Sequence, residues 1–313
     1  MIIDVQKAAE ILRSEDVVAL PTETVYGLAA DASSIIALKK VFDLKQRPAD
    51  NPLIVHVAGI SQAHPLAETG TNDFLLLANE FWPGPLTLVL PKKPGVLDII
   101  TAGLETVAIR MPDHSKTLAV IEKSGPVAAP SANRSGKPSP TRPEHVLDDF
   151  GDDLPVVDGG TCSVGLESTV LDLSGSTPAI LRPGKITADE IEEIIGKKVS
   201  AEAAGNDQRR RSPGTRYSHY KPSASVNWMS PTSGQTHRPG TLYIYHTHTP
   251  TDTGNNVILF EGDYLEFAKS LYDLYRTADK KKYKYILIEP LPDATLSPII
   301  PALLNRIQRS VSN

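Results

Sequence analysis

The chain has 313 residues, which is enough for two domains that each bury a core of their own. Its hydrophobic fraction of 40% and charged fraction of 22% are ordinary for a globular protein, and its formal net charge of −5 argues against a protein whose whole surface binds nucleic acid. The single cysteine, Cys162, excludes an internal disulfide framework and a metal cluster with several cysteine ligands.

Targeting signals are not apparent in the sequence. The N-terminal segment carries acidic residues early and lacks the cleavable apolar region of a signal peptide. No apolar run approaches the roughly 20 residues that span a bilayer. The lone cysteine suits a reducing compartment. We therefore expect a cytoplasmic protein that has no membrane partner.

The first part of the chain alternates between short apolar strands and amphipathic helices. Asp4 can cap a first helix, and a buried strand at 17–21 follows it. Polar residues then lead into a helix over 33–44 and a strand over 52–57. Further on we expect a helix at 72–82, strands at 86–91 and 106–112, a helix at 115–125, a strand at 126–130, a helix near 143–150, strands at 154–158, 168–173 and 179–184, and a capped helix at 187–195. This spacing predicts an α/β domain with a twisted open sheet over residues 1–199.

Composition changes after Val199. Residues 200–239 hold few apolar residues and are interpreted as a linker, although its segment RRRSPGTRYSHYKP carries five basic residues and no acid. Order resumes at Gly240, with strands, a long helix at 263–282 in which Leu265 belongs to the apolar face, and a last helix at 297–311. The sequence therefore predicts a small second α/β domain over residues 240–313.

Common nucleotide and hydrolase signatures are missing from the sequence. It contains no G-x-x-x-x-G-K-[ST], no G-x-G-x-x-G after a strand, no H-E-x-x-H and no G-x-S-x-G. A nucleotide bound by this protein must therefore be held in another way.

Polar residues that a core does not need flank the helix over 33–44. Thr24 lies upstream, and Lys45, Arg47, Asn51 and His56 lie downstream. Lys45 offers a compact ammonium charge, and Arg47 offers a planar guanidinium that can donate two parallel hydrogen bonds. Together these groups suit a polyphosphate. A solvated basic helix end, favoured by the helix dipole, is the alternative for this pair, and a hydrogen-bonded core histidine is the alternative for His56.

Later strand ends carry a second group of polar residues. Arg110 sits in an otherwise apolar strand, where an arginine needs either a carboxylate ligand or an internal ion pair. Ser131 and Asn133 directly follow a strand, and ligands bind at strand ends in open α/β sheets, although ordinary turn chemistry is the alternative. Weaker candidates are Ser168 at the start of a strand, Arg182 at another strand end, and Ser139, for which a helix cap is the alternative.

Several blocks together resemble one family. They are PTETVYGLA, KQRPADNPLIVHV, FWPGPLTLVL, VAIRMP, APSANRSGKPSPT, ESTVLDL, ILRPG and SPGTRYSHYKP. In this order, over most of residues 15–221, they resemble the Sua5/YrdC family of L-threonylcarbamoyladenylate synthases. The last block, followed by a small α/β domain, resembles the two-domain Sua5 form. The resemblance implies a YrdC-like catalytic domain, a linker that acts as a lid, and a Rossmann-like C-terminal Sua5 domain.

The resemblance also implies a reaction. L-threonine, bicarbonate or CO2, and ATP would give L-threonylcarbamoyladenylate and pyrophosphate. Mg²⁺ would accompany ATP, with no protein metal ligand. The product would pass to the machinery that makes N6-threonylcarbamoyladenosine at position 37 of tRNA, and a weak contact with tRNA itself is compatible with the basic segments.

Site residues follow from the resemblance block by block. The family's catalytic tetrad falls on Lys45, Arg47, Ser131 and Asn133. Threonine would be held by Thr24, His56, Arg110 and Ser168. ATP would be held by Arg47, Asn51, Thr106, Ser131, Ser139 and Arg182, with Tyr217 closing over the nucleotide.

Two other functions stay open from the residues alone. One is an RNA-binding protein that uses the basic linker and the loop at 131–142, against which the acidic net charge and the lack of an aromatic-rich RNA-binding strand both argue. The other is a carbamoyl-transfer module of the same fold.

Overall fold

The computed structural model describes residues 1–200, 211, 220–230, 237–248 and 254–311. These residues form a ten-stranded mixed sheet and a separate four-stranded parallel sheet, each packed against helices. The predicted α/β class, with an open sheet followed by a small second α/β unit, is therefore confirmed. None of the described helices is both long and apolar enough to cross a membrane.

The first region contains ten strands and eight helices in its described residues. The strands are β1 (Ile2–Ile3), β2 (Val18–Leu20), β3 (Gly27–Asp31), β4 (Ile54–His56), β5 (Leu86–Pro91), β6 (Thr106–Arg110), β7 (Val127–Ala128), β8 (Val156–Val157), β9 (Thr169–Asp172) and β10 (Ala179–Arg182). The helices are α1 (Val5–Arg13), α2 (Ile35–Lys45), α3 (Ile60–Ala63), α4 (Asn72–Phe81), α5 (Asp98–Thr101), α6 (Ser115–Ser124), α7 (Pro143–Phe150) and α8 (Ala188–Ile195).

The large sheet mixes parallel and antiparallel neighbours. Its order is β1-β8-β2-β3-β7-β4-β6-β5-β9-β10. In the middle, β4 runs parallel to β6 and antiparallel to β7, and its register pairs His56 with Arg110. Two residues that lie 54 positions apart in sequence are thus brought side by side at the edge where the candidate site forms.

Local sequence signals fix how α2 presents its last residue. Ser34 caps the helix by accepting a hydrogen bond from the backbone N–H of Ala37. Gln46 ends it in the left-handed conformation, with φ of 52°. Lys45, the last helical residue, is buried, whereas Ile35 is exposed although the periodicity predicts it on the apolar face. Ile35 is the first helical residue after the cap, so the buried face of the helix begins further along, at Ala37 and Leu38.

The second region has four parallel strands in the order β11-β14-β12-β13. They are β11 (Ser225–Trp228), β12 (Thr241–Tyr245), β13 (Val257–Leu259) and β14 (Tyr285–Ile288), with helices α9 (Tyr264–Lys280) and α10 (Ile300–Ser310). The strand β11 lies inside the predicted linker, so the second sheet begins before Gly240. Ser225 and Asn227 give this short strand a polar composition, and its backbone pairing with β14 could not be seen in the sequence.

The core of the second region extends into the first. Val25 and Leu166 pack in the same apolar cluster as Phe267 and Leu271 of α9. Leu265, predicted on that face of α9, is instead 57% exposed, because the true face begins with Tyr264. The two regions therefore share apolar contacts as well as chain.

A glycine lets the two regions approach closely. Gly165 has a left-handed φ of 76°, and a Cβ at this position would lie 2.4 Å from the Cα of Lys269 in α9. The backbone of α9 therefore rests directly on the loop that leads to Glu167 and Ser168.

Candidate active site

A cavity gathers most of the polar residues that the sequence singles out. Its wall takes residues from the loop after β2, the end of α2, the ends of β6 and β10, and the loop after β7. The predicted site residues on this wall are Thr24, Lys45, Arg47, His56, Arg110, Ser131, Asn133, Ser168 and Arg182.

Four predicted site residues are not on the described wall. Asn51, Thr106 and Ser139 do not line the cavity. Asn51 instead supplies a backbone carbonyl that accepts a hydrogen bond from Arg47 Nε at 3.1 Å. Tyr217 lies outside the described residues, so its role as a lid stays a prediction.

Lys45 enters the cavity from the end of α2. Its Nζ donates hydrogen bonds to the backbone carbonyls of Ser131 and Asn133, which tie α2 to the loop after β7. Burial, with Arg47 nearby, lowers the pKa of Lys45 well below its usual value. Three members of the predicted tetrad, Lys45, Ser131 and Asn133, are thus joined by hydrogen bonds.

Arg47 is held by the backbone of the following loop. Its Nη2 donates to the carbonyl of Pro52 at 2.7 Å. Burial lowers its pKa to about 10, which leaves the guanidinium charged at neutral pH. Lys45 and Arg47 therefore bring closely spaced basic groups to a desolvated wall, where an anionic ligand is favoured.

We call Glu23, Thr24, His56 and Arg110 the Arg110 cluster. Arg110 Nη2 lies 2.6 Å from Glu23 Oε2, and Nη1 donates to Thr24 Oγ1 at 2.8 Å. Of the two alternatives for Arg110, the internal ion pair is therefore present, yet Arg110 also lines the cavity, so the ligand role remains compatible with it. Glu23 lies behind the wall, and its role was not predicted from the sequence.

His56 is neutral in this cluster. Burial and the adjacent Arg110 charge lower its pKa to about 3. Its Nδ1 lies 3.2 Å from the backbone carbonyl of Ile54, which fits an N–H on that nitrogen and an acceptor on the other. The Arg110 cluster therefore offers one cation, one hydroxyl and one neutral imidazole to a small polar ligand.

We call Ser139, Glu167, Arg182, Tyr272 and Arg306 the Glu167 cluster. Glu167 lines the cavity, and its carboxylate accepts from Ser139 Oγ at 2.6 Å, Tyr272 OH at 2.9 Å and Arg306 Nε at 2.8 Å. Burial alone would raise the pKa of Glu167, but the charges of Arg306 and Arg182 outweigh it and hold the pKa at about 2. Ser139 thus contacts Glu167 behind the wall.

Arg182 and Ser168 complete this wall together. Arg182 Nη2 donates to Ser168 Oγ at 3.1 Å, and Ser168 Oγ lies 2.8 Å from Thr87 Oγ1. Gly184 allows the turn after β10 to pack here, because a Cβ would lie 2.2 Å from the backbone nitrogen of Thr169. The two predicted residues are therefore held in fixed positions by hydrogen bonds.

The described residues contain no group of three or more His, Cys, Asp or Glu side chains that could hold a metal ion. The carboxylates in the two clusters, Glu23 and Glu167, are already paired with arginines.

Comparison with known proteins gives a consistent result along the whole chain. A family model described as "Telomere recombination" (Sua5_yciO_yrdC) matches residues 10–184, and one described as "Threonylcarbamoyl-AMP synthase, C-terminal domain" matches residues 186–312. A curated threonylcarbamoyl-AMP synthase of Bacillus subtilis is 42% identical over 327 residues, covering 98% of this chain and 92% of the relative. One of Pyrococcus abyssi is 49% identical over 223 residues, covering 70% of this chain and 66% of the relative.

The fold has a close structural counterpart. The crystal structure of Pyrococcus abyssi Sua5 complexed with L-threonine matches with a TM-score of 0.85 and 36% identity, and the match covers 99% of this chain and 97% of that chain. Both regions of the chain therefore have counterparts in that solved structure.

Proposed function

Because the chain belongs to the Sua5/YrdC family, in its two-domain Sua5 form, we propose that it makes L-threonylcarbamoyladenylate from L-threonine, bicarbonate or CO2, and ATP, with release of pyrophosphate. The observation that carries this proposal is the meeting of Lys45, Arg47, Arg110 and Arg182 in one cavity. A site of this kind suits a ligand that carries a carboxylate together with one that carries several phosphates.

Threonine would occupy the Arg110 cluster. Its carboxylate would pair with Arg110, and its hydroxyl would bond with Thr24 and with neutral His56. Because the site would be built to hydrogen-bond a hydroxyl, valine would leave buried polar groups unpaired and would be rejected. The pKa of His56, lowered to about 3, supports a neutral imidazole in this role at physiological pH.

The first chemical step would join threonine to CO2. The amine of threonine, after losing its ammonium proton, attacks the carbon of CO2, and loss of the second proton leaves a carbamate anion. This anion hydrolyses readily in water, so a closed site protects it. The Tyr217 segment is proposed as the lid, since it belongs to the family block that follows the first domain.

The second step would be nucleotidyl transfer. A carbamate oxygen attacks the α-phosphorus of ATP, and the bond to the leaving pyrophosphate breaks. Two anions must meet, so cationic groups lower this barrier more than a protein base would. Lys45 and Arg47 would lie against the phosphates, with Ser131 and Asn133 positioning them, and Mg²⁺ carried by ATP would neutralise further charge.

A pyrophosphate-release assay tests the proposal. Purified protein with ATP and Mg²⁺ should release pyrophosphate only when both threonine and bicarbonate are present. Turnover of ATP that is indifferent to threonine would contradict it, and activity with carbamoyl phosphate in place of threonine and bicarbonate would point to carbamoyl transfer instead.

We further propose that the product passes to the tRNA threonylcarbamoyl-transfer machinery. In a gel-shift experiment, any tRNA contact should weaken steeply as salt rises.

A further inference from the structure

Two buried arginines of the second region reach into the first. Arg276 of α9 pairs with Asp149 of α7 at 2.9 Å, outside the cavity. Arg306 of α10 is completely buried and pairs with Glu167 on the cavity wall at 2.8 Å. Arg306 Nη2 also donates to the carbonyl of Pro183 at 3.0 Å, next to Arg182. Arg306 therefore contacts the acidic member of this wall, Glu167, and the backbone next to its basic member, Arg182.

The second region also places an aromatic residue on that wall. The guanidinium carbon of Arg306 lies 5.6 Å from the centroid of the Tyr220 ring. Tyr220 in turn stacks on Tyr272 of α9, with ring centroids 5.3 Å apart. Since Tyr220 and Glu167 both line the cavity, α9 and α10 fix the positions of two wall residues.

The charges at this wall would have a different balance without Arg306. Glu167 interacts electrostatically with Arg182, and Arg306 is the cation that donates a hydrogen bond to the Glu167 carboxylate. If Arg306 were neutral, Glu167 would be a buried carboxylate whose remaining cationic neighbour is Arg182. It would then neutralise the arginine that an incoming phosphate needs.

We propose that Arg306 of the second domain is a positioning residue for the nucleotide: it pairs with Glu167 and holds Tyr220, so that Glu167 does not pair with Arg182 and the Arg182 guanidinium is left to bind ATP. This inference rests on the proposed function. It assigns the second domain a specific task, because the nucleotide part of the cavity is complete only when α10 is docked. The Arg110 cluster has its own counter-ion in Glu23 and does not depend on α10.

The decisive experiment measures nucleotide and threonine binding separately. The full-length chain is titrated calorimetrically with α,β-methylene-ATP plus Mg²⁺, whose α–β bridge cannot be cleaved, and then with L-threonine alone. Arg306→Met should weaken binding of the analogue by about tenfold and change threonine binding by less than about twofold. The double variant Glu167→Gln with Arg306→Met should regain at least about threefold, because no uncompensated charge remains.

Asp273→Asn provides the matched control. Asp273 lies on α9 and makes an interdomain contact with Arg142 and His145, away from the cavity. This variant should bind both ligands like the wild type. If Arg306→Met does not fold, Tyr272→Phe replaces it in the experiment. Tyr272→Phe removes one hydrogen bond from Glu167 without changing any charge, and binding of the analogue alone should weaken by about threefold.

Three results would overturn the inference. The first is unchanged binding of the analogue in folded Arg306→Met, or in Tyr272→Phe when that variant stands in. The second is an equal loss for threonine and the analogue. The third is no recovery in the double variant. If the wild type binds the analogue but releases no pyrophosphate with threonine and bicarbonate, the proposed function fails while this inference is still tested by the titrations.

Discussion

The Arg110 cluster and the Glu167 cluster use the same pair of charges in opposite orientations. In the first, the arginine faces the cavity and its carboxylate, Glu23, lies behind the wall. In the second, the carboxylate faces the cavity and its arginine, Arg306, lies behind the wall. What the wall offers a ligand therefore depends on which member of the buried ion pair lines the cavity. It also depends on which domain supplies the partner behind the wall.

Lys45 lies in the same wall as both clusters, and its removal should have the largest effect. Lys45→Ala should lower kcat/KM for pyrophosphate release by about a hundredfold, or roughly 2.7 kcal/mol of barrier, because a cation is lost from a desolvated phosphate site. Lys40→Ala on the same helix is the control, since Lys40 makes only an exposed ion pair with Asp16. Activity of Lys45→Ala near that of the control would remove Lys45 from the site.

Glu23→Gln tests the Arg110 cluster by removing the negative charge of its carboxylate. It leaves a buried arginine without its counter-ion, so the free energy of unfolding should fall by about 3 kcal/mol. Threonine brings a carboxylate that can take the place of Glu23 beside Arg110. Added threonine should therefore raise the thermal midpoint of Glu23→Gln more than that of the wild type.

Thermal unfolding with and without threonine checks this prediction. Glu23→Asp keeps the charge and serves as the matched variant. Equal threonine-induced shifts in Glu23→Gln and the wild type would show that the ligand carboxylate does not reach Arg110.

Acid titration separates the two clusters by pH. The pKa of His56 is lowered from 6.5 to about 3, so the unfolded chain binds its proton first and stability falls as pH drops below about 6.5. Glu167 has a pKa lowered from 4.5 to about 2, so its contribution is lost only as pH falls below about 4.5. Between these values His56 should contribute a slope of up to about 1.4 kcal/mol per pH unit, and His114, whose pKa is also lowered by burial, adds to it in the same direction.

Urea unfolding at a series of pH values measures these slopes. His56→Gln should flatten the dependence between pH 6.5 and 4.5, whereas Glu167→Gln should change it only below 4.5. A slope in the upper window that His56→Gln leaves unchanged would contradict the buried neutral histidine.

Asp273→Asn should have the smallest effect. Asp273 is partly exposed and pairs with Arg142 across the two regions, so its loss should cost about 1 kcal/mol or less of unfolding free energy. Pyrophosphate release should stay unchanged. A large loss of activity here would mean that any weakening of the interdomain contact disturbs the cavity. The effect of Arg306→Met would then not be specific to its pairing with Glu167.

Local signals predicted much of the fold and of the cavity. The predicted bounds of β5 and the predicted capped helix over 187–195 agree with the structure, in which Thr187 and Glu190 form a capping box, since both depend on neighbouring residues. The tetrad residues also line the cavity as a group. Their polar chemistry at element ends is visible in the sequence because an apolar core has no use for it.

Long-range pairing could not be predicted in the same way. Glu167 and Arg306 are 139 positions apart, and nothing near either residue indicates the other. Glu23 was visible only as a polar residue, because its pairing with Arg110 depends on how β2 and β6 are placed in the sheet. The strand β11 was missed for a similar reason, as its partner β14 lies far along the chain.

The shared core described above constrains how this chain can change over evolutionary time. Val25 and Leu166 of the first region are part of the apolar cluster of the second. A lineage that lost the second domain would expose both side chains and leave Glu167 without Arg306. Such a loss would therefore require compensating substitutions at positions 25, 166 and 167.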